Sequence, residues 1–235
     1  VLDKNGRPTA KKALEGTTYA GITLPGSNAG LTMNGTPYTL IHKIGDMATT
    51  DTLTGSYALA QDLDAAAWSA ANMGATSVVA KLSGTLTGLG HTISNLTLNA
   101  PSTNFVGMIG QTAKGTTPVI RDIGLKDVKI VGGKLIGALL GTSYGAAISD
   151  AYVTATDNNN KRSSVSGAGS STGGLVGYSG SGTTTITDSY SDADVTVTTA
   201  SSGMIGGLVG QAKNTTITNC HTTGKVEGAS DYDNS

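Results

Sequence analysis

A repeated segment limits what this chain can fold into. Four stretches share an apolar run closed by glycine: Phe105-Val-Gly-Met-Ile-Gly110, Ile136-Gly-Ala-Leu-Leu-Gly141, Thr172-Gly-Gly-Leu-Val-Gly177 and Ile205-Gly-Gly-Leu-Val-Gly210. Their last glycines lie 31, 36 and 33 residues apart. Seven to ten residues after each comes Ile-x-Asp or Ile-x-Asn: Ile120 with Asp122, Ile148 with Asp150, Ile186 with Asp188, Ile217 with Asn219. Ile93-Ser-Asn95 reads as an earlier, fifth copy. A third β-type element follows each, at Leu96/Leu98, Val128/Ile130, Val153, Val195/Val197 and Val226.

Each unit therefore reads as three short strands separated by Gly, Asn, Asp or Ser turns, with no helical spacing across them. A unit of this size cannot bury its own apolar side. Stacked on copies of itself it can, each strand pairing in parallel with its equivalent one coil away. The expected fold is all-β, a right-handed parallel β-helix. Gly110, Gly141, Gly177 and Gly210 fit coil corners that need positive φ or close backbone approach. Asn95, Asp122, Asp150, Asp188 and Asn219 fit bends, where their side chains bond neighbouring amides and stack coil on coil. Ile93, Ile120, Ile148, Ile186 and Ile217 point into the bore.

The organisation expected along the chain has four parts. Residues 1–35 read as loosely structured or as the remnant of a preceding segment. Residues 36–83 read as lead-in coils or a cap, with a short helix in the Ala-rich stretch Ala65–Met73 and another near Asp46–Leu53. Residues 84–229 hold the β-helix repeats, and 230–235 a frayed end or truncated coil. The polar segment 157–171 lengthens one repeat to 36 residues and reads as an extruded loop. The chain opens Val-Leu-Asp-Lys with no basic-then-apolar leader, which suggests a piece of a longer protein.

Composition fits a solenoid better than a helical or doubly wound enzyme. Leu, Ile, Val and Phe make up 47 of 235 residues, on the edge of the disordered class, but the net charge of -1 lacks the repulsion that disorder requires. A thin core fed by about one apolar residue per strand resolves the discrepancy. Thr at 36 and Gly at 34 then become strand faces and corners. Fifteen basic against sixteen acidic residues give no electrostatic reason to bind nucleic acid or an anionic membrane. No apolar run is long enough for membrane insertion as a helix. Cys220 stands alone, so no internal disulfide forms.

Candidate chemistry is sparse. Asp188, Asp192 and Asp194 are the best carboxylate cluster for a carbohydrate-active β-helix, but no basic residue accompanies them in sequence between Arg162 and Lys213. His42, His91 and His221 are widely separated, and His91 reads as bonding backbone at a turn. Cys220 and His221 are adjacent on a strand, which does not oppose a nucleophile to its base. Asp231, Asp233 and Asn234 match no calcium-loop pattern. Neither a metal nor a cofactor is expected, and the chain reads as non-enzymatic. Asn34, Asn95 and Asn214 head Asn-x-Thr sequons.

Gly173-Gly-Leu-Val-Gly177 and Gly206-Gly-Leu-Val-Gly210, each followed by Ile-x-Asp/Asn, resemble the GLUG repeat of large bacterial surface proteins, among them filamentous-haemagglutinin-like adhesins. Tyr38-Thr-Leu-Ile41, Gly55-Ser-Tyr-Ala-Leu-Ala60 and Gly84–Leu98 look like that module's lead-in, so the likeness spans roughly residues 36–228. Where the family commonly has Asp-Gly, this chain has Thr87-Gly88. The resemblance implies a segment of an extracellular adhesin, exported through an outer-membrane secretion partner or as an autotransporter passenger. Its partner would be a ligand on a host cell or neighbouring cell, a glycan or a protein. The extruded loop, with Asn158, Asn159, Lys161 and Arg162, is the candidate contact. The alternatives are a passive stalk in a toxin-delivery exoprotein or protease, and a carbohydrate-active enzyme.

Overall fold

The computed structural model describes residues 21–26, 29–156, 162–199 and 203–229. It is a parallel β-solenoid of about six turns with almost no helix. Three sheets run along its length. The first, twelve-stranded, has as its main path Leu31–Met33, Thr36–Ile41, Ser56–Leu59, Thr85–Thr87, Val119–Lys126, Ala146–Thr154, Thr184–Thr187 and Thr215–Thr218. The second stacks Thr49–Leu53, Val79–Leu82, Ile109–Thr112, Leu140–Ser143, Val176–Ser179 and Val209–Ala212. The third begins with Thr97–Val106 and Lys129–Gly137, continues through Ser164–Gly167 with Ser171–Gly173 and Asp194–Val197 with Met204–Gly206, and ends at Val226–Glu227. Each coil visits the second sheet, the first and then the third.

Register makes the repeats superimpose. Ile120 pairs with Ile148, Ile148 with Ile186 and Ile186 with Ile217. On the second sheet Ile109, Leu140, Val176 and Val209 form one column. On the third, Leu98, Ile130, Val165, Val195 and Val226 form another. These three columns meet in the bore, and all but their last members are fully buried. No described strand stacks on the last coil: Ile217 is 45% and Val226 43% exposed, where Ile186 and Val195 are 0%.

The other end is covered. Leu31–Met33 pairs antiparallel with Thr36–Ile41 through an Asn34-Gly35 turn with positive φ at both residues, the conformation of a tight hairpin. Residues 21–24 lie over the next coils, the Ile22 N–H donating to Leu89 O and the Leu24 N–H to Ala60 O. The helix Ala66–Ala71 lies beside Thr97–Val106, the third sheet's first strand, and the Ser69 hydroxyl accepts the Thr97 N–H at 2.9 Å. That contact occupies a donor the sheet's edge would otherwise leave bare.

Two expectations need correction. Residues 46–53 are not a helix: a 3-10 turn covers Ile44–Asp46, and the β-branched run that follows is the strand Thr49–Leu53. Strands Thr36–Ile41, Thr49–Leu53 and Ser56–Leu59 pair with later coils, so the lead-in stretch is itself built of stacked coils. Part of the expected 157–171 loop is strand: Ser164–Gly167 pairs with Lys129–Gly132 on one side and Asp194–Val197 on the other. Its Ser-Val-Ser alternation buries Val165 completely and turns the serines out.

The corner glycines answer to crowding. Gly141, Gly177 and Gly210 all have negative φ, yet a Cβ on Gly141 would sit 2.7 Å from Gly110 O, and one on Gly177 2.5 Å from Ile136 N. The opposing Gly137 and Gly173 are as tight, at 2.5 Å from Gly177 N and 2.1 Å from Val176 O. Successive coils approach there with only hydrogen between their backbones. Gly141→Ala should therefore cost about 2 kcal/mol, whereas Gly45→Ala, which meets nothing within 4 Å, should be near neutral. Chemical denaturation of both variants checks this.

Candidate binding surface

Because coils stack in register, each outward position becomes a column of side chains along the solenoid. The first is a carboxylate column. Asp122, Asp150, Asp188 and Asn219 follow the paired isoleucines and all adopt left-handed backbone, with φ between 49° and 53°. Asp and Asn tolerate that conformation because their short polar side chains bond locally. One end is ion-paired and the other capped by a neutral amide: Arg121 donates to Asp122 at 2.8 Å, and the Asn219 amide donates to Asp188 at 3.1 Å. Asp150, in the middle, is half-buried. Burial first, then the charges of Asp122 and Asp188, push its carboxyl above the ordinary value.

Ile93 and Asn95 do not belong to this column. Leu86 is the residue paired with Ile120, which places Gly88 level with Asp122. Ile93 pairs with Leu125, one bend further on, and Asn95 is level with Asp127. Both have left-handed φ, 57° and 53°. The Asn95 amide donates to Asp64 at 3.1 Å; after the Ala66 N–H, it is the second influence holding that carboxyl below its ordinary value.

A second column is aromatic. Tyr152, Tyr190 and His221 are register partners, their rings stacked at 5.2 and 5.1 Å and parallel within 7°. Gly124 opens the column, and a Cβ there would strike the Tyr152 ring. A third lies inside, where the Ser143 and Thr184 hydroxyls bond at 2.8 Å, as do Ser179 and Thr215 at 2.7 Å. Thr therefore serves the bore as well as the outer faces, where Thr185 and Thr187 pair with Thr216 and Thr218.

The residues singled out for chemistry are tied into coil-to-coil contacts. Asp192 accepts from Thr154 at 3.4 Å and from Thr223 at 2.5 Å. Asp194 is paired with Arg162 at 2.8 Å and accepts the Lys225 N–H at 2.9 Å. One basic partner, Arg162, thus arrives from the adjacent coil, while Lys225 contributes only its backbone N–H. Asp188 sits on the carboxylate corner, on the first sheet, with Asp194 on the third. His91 is buried, its Nε2 at 3.0 Å from Ile22 O and its Nδ1 at 3.3 Å from Asp62. The Cys220 thiol donates to Thr218 O and Ile186 O, and burial pushes it above its ordinary value. His221 is turned to Tyr190. Among the described residues no group of three or more His, Cys, Asp or Glu could hold a metal ion, and no helix is long and apolar enough to cross a membrane.

Of the expected contact loop, Arg162 is exposed and paired as above, while Asn158, Asn159 and Lys161 lie outside the described residues. Of the sequon asparagines, Asn34 and Asn214 are exposed at turns and Asn95 is engaged with Asp64.

One surface feature had no counterpart in the sequence motifs. Where the second sheet turns into the first, the loops at 114–117, 144–145 and 181–183 of three coils enclose a cleft of about 350 Å³. The Lys114 ammonium lies 4.8 Å from the centre of the Tyr144 ring. The walls carry Thr116, Thr117, Ser181 and Thr183 with backbone left open at glycines, and no carboxylate. Its only sequence signal is position, three to seven residues past the closing glycine of three repeats.

The last coil is a Glug motif. Residues 201–227 match the family described as the GLUG motif. The copies at 105–110, 136–141 and 172–177 stack on it strand for strand. Over 162 residues the chain is 30% identical to halomucin of Haloquadratum walsbyi (strain DSM 16790 / HBSQ001), covering 62% of this chain and 2% of halomucin. The chain thus spans a small fraction of that relative's length. No solved structure matches.

The carboxylate column has a testable energetic sign. A carboxyl raised in the folded state costs nothing below the ordinary carboxylate range, and its contribution to stability is lost as pH rises through its folded value. Asp150→Asn keeps the left-handed bend and removes the charge. Its Tm should exceed that of the parent by about 1–2 °C at pH 7, and the difference should vanish as the pH falls below the carboxylate range. Calorimetry across that range decides it.

Proposed function

We propose that this chain is a non-enzymatic segment of a large extracellular surface protein, a stiff β-helical rod whose outer face engages a ligand on a host or neighbouring cell. The observation that carries this reading is the stacking of GLUG-type coils in unbroken register. A rod built this way grows by about 4.8 Å per coil and holds its surface rigid. Its Thr- and Ser-rich faces offer hydroxyls to a ligand without closing a deep pocket. The likeness to a protein named halomucin supports a place on or outside the cell. The absence of catalysis is supported by Asp188, Asp192 and Asp194, whose oxygens are spent between coils. Export through an outer-membrane partner belongs to the same proposal and rests on the adhesin resemblance alone.

Fluorescently labelled chain should bind cells saturably at micromolar concentration, with binding competed by unlabelled chain. Absence of saturable binding would leave the chain as a spacer. Release of reducing ends from uronate or hexose polymers, lost in Asp192→Ala, would overturn the non-enzymatic assignment.

A further inference from the structure

We infer that the cleft between the second and first sheets is a binding site for an acidic oligosaccharide, with Lys114 as the anion contact and Tyr144 as the stacking platform. This deepens the surface-binding reading and rests on it for its biological setting, though not for its chemistry. At about 350 Å³ the cleft falls within the range of small-ligand sites. It spans three coils, and a coil rise of about 4.8 Å is close to the length of one pyranose unit, so two or three sugars match its run.

The lining selects the ligand. Hydroxyls dominate, and those of Thr117, Ser181 and Thr183 make no hydrogen bond to any other described residue. They are available to a polyhydroxylated ligand as donors and acceptors. No large aliphatic side chain is present, which disfavours a lipid chain or an apolar peptide anchor. Lys114 is exposed and has no carboxylate partner among the described residues. Its ammonium is held at the Tyr144 ring by the ring's quadrupole and points one positive charge into a cleft with no negative one. A uronate carboxylate or a sugar sulfate satisfies that charge, and the ring offers an apolar surface to the sugar's C–H face.

The backbone of the wall is unusual and closely packed. Ser181 holds a left-handed φ of 77°, unusual for serine, and Gly145 one of 129° that side chains avoid. A Cβ on Gly182 would fall 2.1 Å from Tyr144 O, so the loop of one coil rests directly on the backbone that carries the platform.

Titration of the chain with tetragalacturonate and with a heparin tetrasaccharide, followed by amide NMR, tests the assignment against maltotetraose as the neutral control. At least one acidic probe should shift amides at 114–117, 144–145 and 181–183, with affinity falling as salt rises. Lys114→Gln and Thr183→Asp, both at exposed positions, should each weaken that probe about tenfold or more, and Tyr144→Ala should weaken it by a similar factor. The proposal is overturned if neither acidic probe shifts those amides at millimolar concentration, if maltotetraose binds as well, or if Lys114→Gln binds unchanged. The same variants in the cell-binding assay separate the two readings. Wild type and Lys114→Gln binding cells equally would remove the cleft and keep the rod as a binding surface. Cleft titration without any cell binding would do the reverse.

Discussion

Parallel backbone pairing between successive coils is the interaction on which the rest of this structure depends. Once one coil lies in register on the next, every residue sits on its equivalent some 30 residues away, at strand spacing. A sequence that repeats with small drift then converts each position into a column. The fold needs few apolar residues because each column is apolar along its whole length, and because backbone hydrogen bonds, rather than a wide core, join the layers.

The same constraint sets the difficulties that the side chains must resolve. Apolar columns such as Leu98, Ile130, Val165 and Val195 strengthen as they lengthen, while a column of carboxylates accumulates repulsion. This chain limits the second by closing the carboxylate corner with Arg121 at one end and Asn219 at the other, leaving one strained member in Asp150. Two pairs of hydroxyls bond across the corner, Ser143 with Thr184 and Ser179 with Thr215, and other buried hydroxyls bond to backbone, as Thr112 and Ser163 do. Thr142 and Thr172 are buried exceptions whose hydroxyls find no partner. The first coils are covered by a hairpin and a short helix.

The architecture was legible because its signature is a spacing. The closing glycines and the Ile-x-Asp triplets from Gly110 onward stack as that spacing demands. It misled at Ile93 and Asn95, because the bend at that level uses Gly88, and glycine serves a corner as well as aspartate does while carrying no side chain to match. The supposed helix near 46–53 failed because β-branched threonines favour a strand once a neighbouring strand is available. The partners of Asp192 and Asp194 come from adjacent coils, so local sequence could not show them. The cleft escaped for the same reason: Lys114, Tyr144 and Ser181 are distant in sequence, and their neighbours are the Thr, Ser and Gly that abound throughout the chain.

A rod made of stacked coils presents its surface as rows at fixed intervals, which suits a repetitive ligand such as a glycan chain. That account stands or falls with the register. Nitroxide labels at Ala147 and Thr185, one coil apart, and at Ala147 and Thr216, two coils apart, measure it directly in a Cys220→Ser background. Backbone separations of about 5 and 10 Å predict strong dipolar broadening for the first pair and clearly weaker, still measurable broadening for the second. Absence of coupling in the first pair, or stronger coupling in the second, would contradict coil-on-coil stacking.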